Sequence, residues 1–252
     1  RNRTIAPERM VVLGGGPIGT ELAQSFARLG CSVTQIEMAP RLLMREDEDA
    51  ASLVRASLES DGVTVLTGHK AIACGMTDGN KWIEVETGPD RRRIAFDELV
   101  IAIGRVPRTK GFGLEELGIK AGRVIETNDY LQTVHPNILV AGDAAGPYQF
   151  THTAAHQAWF ATVNALFGTF RRTKADYGTI PWATFCDPEV ARVGLSEAEA
   201  RQAGIAHDVT RYDLGDLDRA IADGNAHGFI KILTAKGKDR ILGATIVGDH
   251  AG

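Results

Sequence analysis

Three glycines carry the clearest chemical meaning in this chain. They stand at Gly14, Gly16 and Gly19, spaced as GxGxxG within Leu13-Gly14-Gly15-Gly16-Pro17-Ile18-Gly19. A turn of this kind, leading from a strand into a helix, offers backbone N–H groups and a positive dipole end to a phosphate. Gly14 permits the sharp exit from the strand. Gly16 lets a pyrophosphate approach bare backbone, and Gly19 lets helix and strand pack closely. Pro17 and Ile18 lie inside the same turn and share the expected nucleotide contact. Glu37 follows roughly 20 residues further on, where a carboxylate accepts hydrogen bonds from the adenosine ribose and repels a 2′-phosphate. NAD(H) is therefore the expected ligand. Arg41 and Arg45 come soon after, and an arginine can accommodate that phosphate, so NADP(H) stays open. The plainer alternative is a glycine-rich turn with an unrelated surface glutamate.

The elements around these residues have the right texture. Met10-Val-Val-Leu13 reads as a buried parallel strand. Ile18, Leu22, Phe26 and Leu29 recur at helical spacing, and Gly30 closes that helix with a left-handed cap. Ser32 to Ile36 is the next strand, a helix over Glu46 to Ser60 follows, and Val63 to Leu66 is the third strand. Between Lys70 and Phe96, turn signals at Thr77-Asp78-Gly79-Asn80 and Thr87-Gly88-Pro89-Asp90 separate alternating stretches, which predicts a small antiparallel meander. Arg91-Arg92-Arg93 is expected at a solvated hairpin tip. Leu99 to Ile103 reads as another buried parallel strand, and Ile138 to Ala141 as a strand ending at Gly142-Asp143. A helix is expected over Thr153 to Phe167, then a polar linker from Arg171 to Thr179. From Pro181 the pattern is mostly β, with strands at Trp182–Phe185, Val190–Val193, Phe229–Leu233 and Ile241–Val247. One helix interrupts it, announced by the capping box Ser196-Glu-Ala-Glu199.

Composition narrows the class. The 252 residues are 44% hydrophobic and 24% charged, an ordinary globular balance. A net charge of −4 gives no reason to expect nucleic acid or an anionic membrane as partner. No stretch reaches the roughly 18 apolar residues of a membrane helix. Cys31, Cys74 and Cys186 form no metal or disulfide spacing, which suits a reducing compartment such as the cytoplasm. His152 and His156 stand four apart on a predicted helix but lack a third ligand at recognisable spacing, so no metal is expected. The chain lacks an initiator Met, and both ends read as cut, so a piece of a longer protein is expected.

Further motifs give the chain a family resemblance. The glycine turn, the meander, Ile101-Ala-Ile-Gly-Arg-Val-Pro107, Ile138-Leu-Val-Ala-Gly-Asp-Ala-Ala145 and the run from Ile180 to Gly194 stand in order. Together they resemble the FAD-dependent pyridine nucleotide–disulfide oxidoreductases, which include dihydrolipoamide dehydrogenase and mercuric reductase. Arg211-Tyr-Asp-Leu-Gly-Asp-Leu-Asp-Arg-Ala-Ile221 is similar to mercuric-reductase-like sequences in particular.

The resemblance implies an α/β chain in three parts. These are a Rossmann-like NAD domain with its meander over 1–118, the second half of an FAD domain over 119–175, and a truncated α+β interface domain over 176–252. It implies NAD(H) on the glycine turn, with Gly104 and Arg105 as a second nicotinamide-nucleotide contact. It implies FAD at Gly142, Asp143 and Thr151, with Asp143 bonding the ribityl chain. Glu21 falls where the family keeps a glutamate near the flavin–nicotinamide contact, a role catalytic in kind. Its plainer reading is a solvent-facing helix residue, as a simple turn is for Gly104-Arg105. The family's first GxGxxG and CxxxxC disulfide are expected upstream, and its C-terminal His-Pro segment downstream. A full-length homodimer would pass hydride from NADH to FAD and on to a small-molecule redox substrate. The stretch alone is not expected to complete that cycle. Two rival readings are an NADH-dependent flavoprotein without the disulfide, and a non-catalytic NADH-binding module.

Overall fold

The structure, a computed structural model, describes residues 6–252. Two compact units divide them. One joins residues up to Gly104 with Pro181–Gly252; the other is Arg105–Ile180.

The first unit starts with β1 (Arg9–Leu13), α1 (Pro17–Arg28), β2 (Ser32–Glu37), α2 (Glu48–Ser60) and β3 (Thr64–Thr67). Three antiparallel strands follow, β4 (Lys70–Thr77), β5 (Asn80–Thr87) and β6 (Asp90–Phe96), and then β7 (Glu98–Ile101). The parallel sheet has the order β3-β2-β1-β7. Alternation along β1 decides what covers each face. Met10 and Val12 join a core with Ala23, Val54 and Leu58 from α1 and α2. Val11 points the other way, into a second core with Ile36, Ile83, Val85 and Phe96. The helices therefore cover one face and the meander the other, as period-two side chains require.

The antiparallel meander matches its turn signals. Arg91, Arg92 and Arg93, expected at a hairpin tip, lie instead within β6, exposed, with Arg91 and Arg93 paired to Glu86 and Glu84 across the ladder. Cross-strand partners of opposite charge extend the ladder through the basic run. The strand expected as buried over Leu99 to Ile103 is shorter and half exposed. Ile101 is 65% exposed, because β7 is the edge of the sheet and no further described strand covers it.

The same unit closes with an antiparallel sheet. Its elements are β8 (Pro181–Thr184), β9 (Glu189–Gly194), α4 (Glu197–Gln202), β10 (His207–Asp213), α5 (Asp218–Ala222), β11 (Phe229–Ala235) and β12 (Ile241–Gly248), in the sheet order β10-β11-β12-β9-β8. The capping box on α4 is complete, with Glu199 N donating to Ser196 Oγ at 3.1 Å and Ser196 N to Glu199 Oε2 at 2.9 Å. Both β10 and α5 escaped the sequence reading. β10 is an edge strand of polar and exposed residues, so it carries little alternation to read. Cys186, Val190, Phe229 and Val247 share one apolar cluster with the helices α1 and α2, which joins this sheet to the parallel one.

The second unit is built differently. Its one long element is α3 (Thr151–Phe167). The strand expected over Ile138 to Ala141 does not form. Leu139 makes a single bridge to Gln132, and a short 3-10 turn follows at Gly142–Ala144. A sheet strand needs continuous neighbours, and no described strand runs beside this segment. Irregular backbone must then find other partners. Two side chains on the buried face of α3, Gln157 and Asn164, supply some of them. Asn164 donates to the carbonyls of Tyr130 and Thr173 and accepts from Thr173 N. Gln157 has the same role at the 3-10 turn.

Candidate nucleotide site

At the glycine turn each glycine meets a different constraint. Gly14 adopts φ +117°, and a Cβ there would strike the carbonyl oxygen of Ala102, just past β7. A Cβ on Gly19 would strike the carbonyl oxygen of Gly14, so the helix could not sit this close to the strand. Gly16 is the opposite case, since a Cβ there would meet nothing within 4 Å. Its open side faces space that a phosphate can enter. Pro17 takes the first helical position of α1, where a missing N–H costs nothing. The first helical bond runs from Thr20 N to Gly16 O at 3.0 Å, and no side chain caps the helix. Among the described residues the amides of Ile18 and Gly19 have no protein acceptor. An uncapped N-terminus beside a bare glycine fits an anion.

Glu37 closes the site. Its Oε2 accepts from Gly15 N at 2.5 Å and its Oε1 from Ala39 N at 2.6 Å. A carboxylate has about four acceptor positions, so both oxygens keep capacity for ribose hydroxyls. Gly15 has a steric reason of its own, because a Cβ there would lie 2.7 Å from Leu42 Cδ2 and 2.8 Å from Glu37 Cγ. Leu42 and Leu43 fold back over the turn, with Leu43 N donating to Gly15 O at 2.8 Å. Neither Gly15 nor this segment stood out in the sequence, since only folding brings them together. Gln35, fully buried in β2, was also missed. Its Nε2 donates to Gly14 O at 3.0 Å and fixes the turn from beneath.

The two arginines that could have read a 2′-phosphate are engaged elsewhere. Arg41 donates to the carbonyls of Leu42, Leu43 and Met44. Arg45 lies over the Trp182 ring, 5.8 Å from its centroid. Glu21 is not free at the surface; its Oε1 accepts from Phe185 N at 2.9 Å, which ties α1 to the turn after β8. Cys186, in the same turn, is buried, and burial above all pushes its thiol up to about 12, with Glu21, Asp187 and Glu189 adding to the rise. It stays a thiol at neutral pH and is no nucleophile. Gly104 takes φ +121° with open space around it.

In the second unit, Arg105 Nη1 donates to Gln149 O at 3.2 Å. Gly142, at φ +77°, starts the 3-10 turn that carries Asp143. Buried Gln157 clamps that turn: its Oε1 accepts from Gly142 N at 2.6 Å, and its Nε2 donates to Gly146 O at 2.5 Å and Tyr177 Oη at 2.9 Å. The Asp143 carboxylate accepts no bond from a described residue and stays available to a hydroxylated ligand. Thr151 is the exposed first residue of α3, whose N-terminus carries no side-chain cap. His152 stacks on Phe150 at 5.3 Å, while His156 Nε2 pairs with Asp176 O at 2.6 Å, so the two rings serve different contacts.

Residues 2–158 match the family model of the pyridine nucleotide-disulphide oxidoreductases, and residues 180–252 match the dimerisation domain of the same family. The dihydrolipoyl dehydrogenase of Thermus scotoductus is 36% identical over 250 residues, 98% of this chain and 53% of its own length. The mercuric reductase of Streptomyces lividans is 35% identical over 249 residues, 98% of this chain and 52% of its own. The HOCl-induced flavoprotein disulfide reductase RclA from Escherichia coli superposes with a TM-score of 0.86 at 28% identity, over 99% of this chain and 57% of that one. The chain thus spans about half the length of the curated relatives it matches.

Proposed function

Because this chain belongs to the pyridine nucleotide-disulphide oxidoreductase family, we propose that its glycine turn holds NADH and that Glu37 selects it over NADPH. One observation carries this reading: the Glu37 carboxylate is bonded to Gly15 N, beside an uncapped helix N-terminus. The helix end attracts the pyrophosphate, and Gly16 leaves room for it. Glu37, with acceptor capacity to spare, takes the ribose hydroxyls and places a negative charge where a 2′-phosphate would go. Gly104 and Arg105 complete the nucleotide contact in this reading, and Glu21 stands near the reacting rings.

Asp143 and Thr151 would hold part of an FAD, on the turn that Gln157 fixes. Hydride donation is the chemistry the pyridine nucleotide would supply, with the flavin as acceptor and a disulfide or similar small molecule beyond it. The parts played would be NAD binding over 1–118, flavin binding over 119–175 and pairing with a second copy over 176–252.

Calorimetry with NADH and NADPH tests the central point. Tighter NADH binding is expected; equal or reversed affinities would remove the case for Glu37.

A further inference from the structure

A buried arginine of the antiparallel sheet reaches toward the nucleotide turn through a continuous set of contacts. The Arg192 side chain, on β9, is wholly buried. Its Nη2 donates to the carbonyl of Arg45 at 3.0 Å. Its Nε stands 2.9 Å from Glu46 Oε2, close enough for strong attraction although angled away from a straight hydrogen bond. The far edge of the guanidinium pairs with Glu199, and its Cζ lies 4.3 Å from the centroid of the Trp182 ring. Trp182 Nε1 in turn donates to Glu46 Oε1 at 2.9 Å.

Arg45 and Glu46 lie near the end of the segment that runs from Glu37 to Asp47. Glu46 N donates to Leu43 O at 2.8 Å, and Leu43 N donates to Gly15 O at 2.8 Å. Leu43 is held at φ +46°, a conformation that a leucine keeps only where its surroundings impose it. The path from Arg192 to the glycine turn therefore has few steps: Arg45 and Glu46, then Leu43, then Gly15.

We propose that Arg192 is a positioning residue for dinucleotide binding, holding the Glu37–Asp47 segment closed on the glycine turn. The inference rests on the reading of that turn as an NADH site. Its physical cause is the burial of Glu46. Without Arg192 that carboxylate is left without a counter-ion in a dry site, and it gains by moving toward water. Such a move takes Arg45 and Glu46 with it, frees Leu43 from its strained conformation, and loosens both Gly15 and Glu37. A role confined to holding the two sheets together would lower stability without changing the affinity of folded protein.

The experiment compares Arg192→Met and Trp182→Phe with a control, Arg28→Met/Ser57→Ala. The control cuts other bonds to the β8–β9 turn, at Asp187, and leaves the segment alone. Two readouts are taken on folded protein: calorimetric NADH affinity, and amide hydrogen exchange at Leu43. Arg192→Met should weaken NADH about fivefold or more, within the range of such remote couplings, and speed exchange at Leu43. Trp182→Phe should shift both in the same direction by less, and the control should leave both unchanged. A folded Arg192→Met that binds NADH like the parent overturns the proposal. If Arg192→Met does not fold, unchanged affinity and exchange in Trp182→Phe overturn it. If the parent chain itself binds no NADH, the reading of the turn fails. Exchange at Leu43 then decides alone whether Arg192 holds the segment.

Discussion

Glu37 and Gly15 are joined by a 2.5 Å hydrogen bond, so the carboxylate that ends β2 and the centre of the glycine turn form one unit. A hydrogen bond to a charged group contributes about 1.5–3 kcal/mol. Glu37→Ala should therefore weaken NADH about tenfold or more and narrow its advantage over NADPH. Titration calorimetry with both nucleotides measures this, and unchanged discrimination would place the selection elsewhere.

Gly14 and Gly16 should separate folding from binding. Gly14→Ala puts a Cβ against the Ala102 carbonyl at φ +117° and should cost about 1–3 kcal/mol of stability or more. Gly16→Ala meets no protein atom, so its melting should stay close to that of the parent while NADH binding falls. Thermal melts alongside calorimetry decide the matter; a Gly16→Ala chain that binds normally would argue against pyrophosphate at that glycine.

Gln157→Leu should loosen the turn that carries Asp143. The change strips partners from Gly142 N, Gly146 O and Tyr177 Oη in a buried place. Each buried group left bare costs about 1–3 kcal/mol. Urea unfolding followed by Tyr177 and Trp159 fluorescence should report a clear loss, and a parent-like curve would mean that water replaces the amide.

The contact between α2 and the antiparallel sheet should be acid-sensitive. Burial pushes Asp47 up, but the amides of Ala198 and Glu197 and the Lys231 ammonium outweigh it and leave the carboxyl below its ordinary value. Burial likewise pushes Lys231 down, yet Asp49 and Asp47 hold it above the ordinary lysine value. Asp47 stabilises fully above its unfolded value of about 3.9, and loses that contribution as pH falls through the lower folded value. Lys231 stabilises fully below about 10.4 and loses its share as pH rises through the higher folded value. Melting temperature should thus be level across the neutral range and drop in acid, and Asp47→Asn should flatten the acid limb. An identical acid limb in that variant would assign the drop to other carboxylates.

Much of this molecule was legible in the residues themselves. Local signals sufficed for β1, α1 and β2, since a short apolar run, a GxGxxG turn and a 3.6-residue period are all read within a few neighbours. The capping box at Ser196 was legible for the same reason, and the ordered motifs pointed to the family that the comparisons bear out. Ile138 to Ala141 went the other way. Its apolar run meets the local condition for a strand, but a strand also needs neighbours, and those are decided by the rest of the fold. β10 lacked the alternation that would have revealed it, because most of its residues are exposed whichever face they point to.

The glycine turn divides along the same line. Spacing alone picked out Gly14, Gly16, Gly19 and Glu37 as candidates. Only tertiary structure decided that Leu43 folds back on Gly15, that Arg41 is used up on nearby carbonyls, that Gln35 bonds to the Gly14 carbonyl and that Arg192 bonds to the Arg45 carbonyl. Such contacts join residues far apart in the chain, and no pattern in a linear sequence records which buried polar group will find which partner.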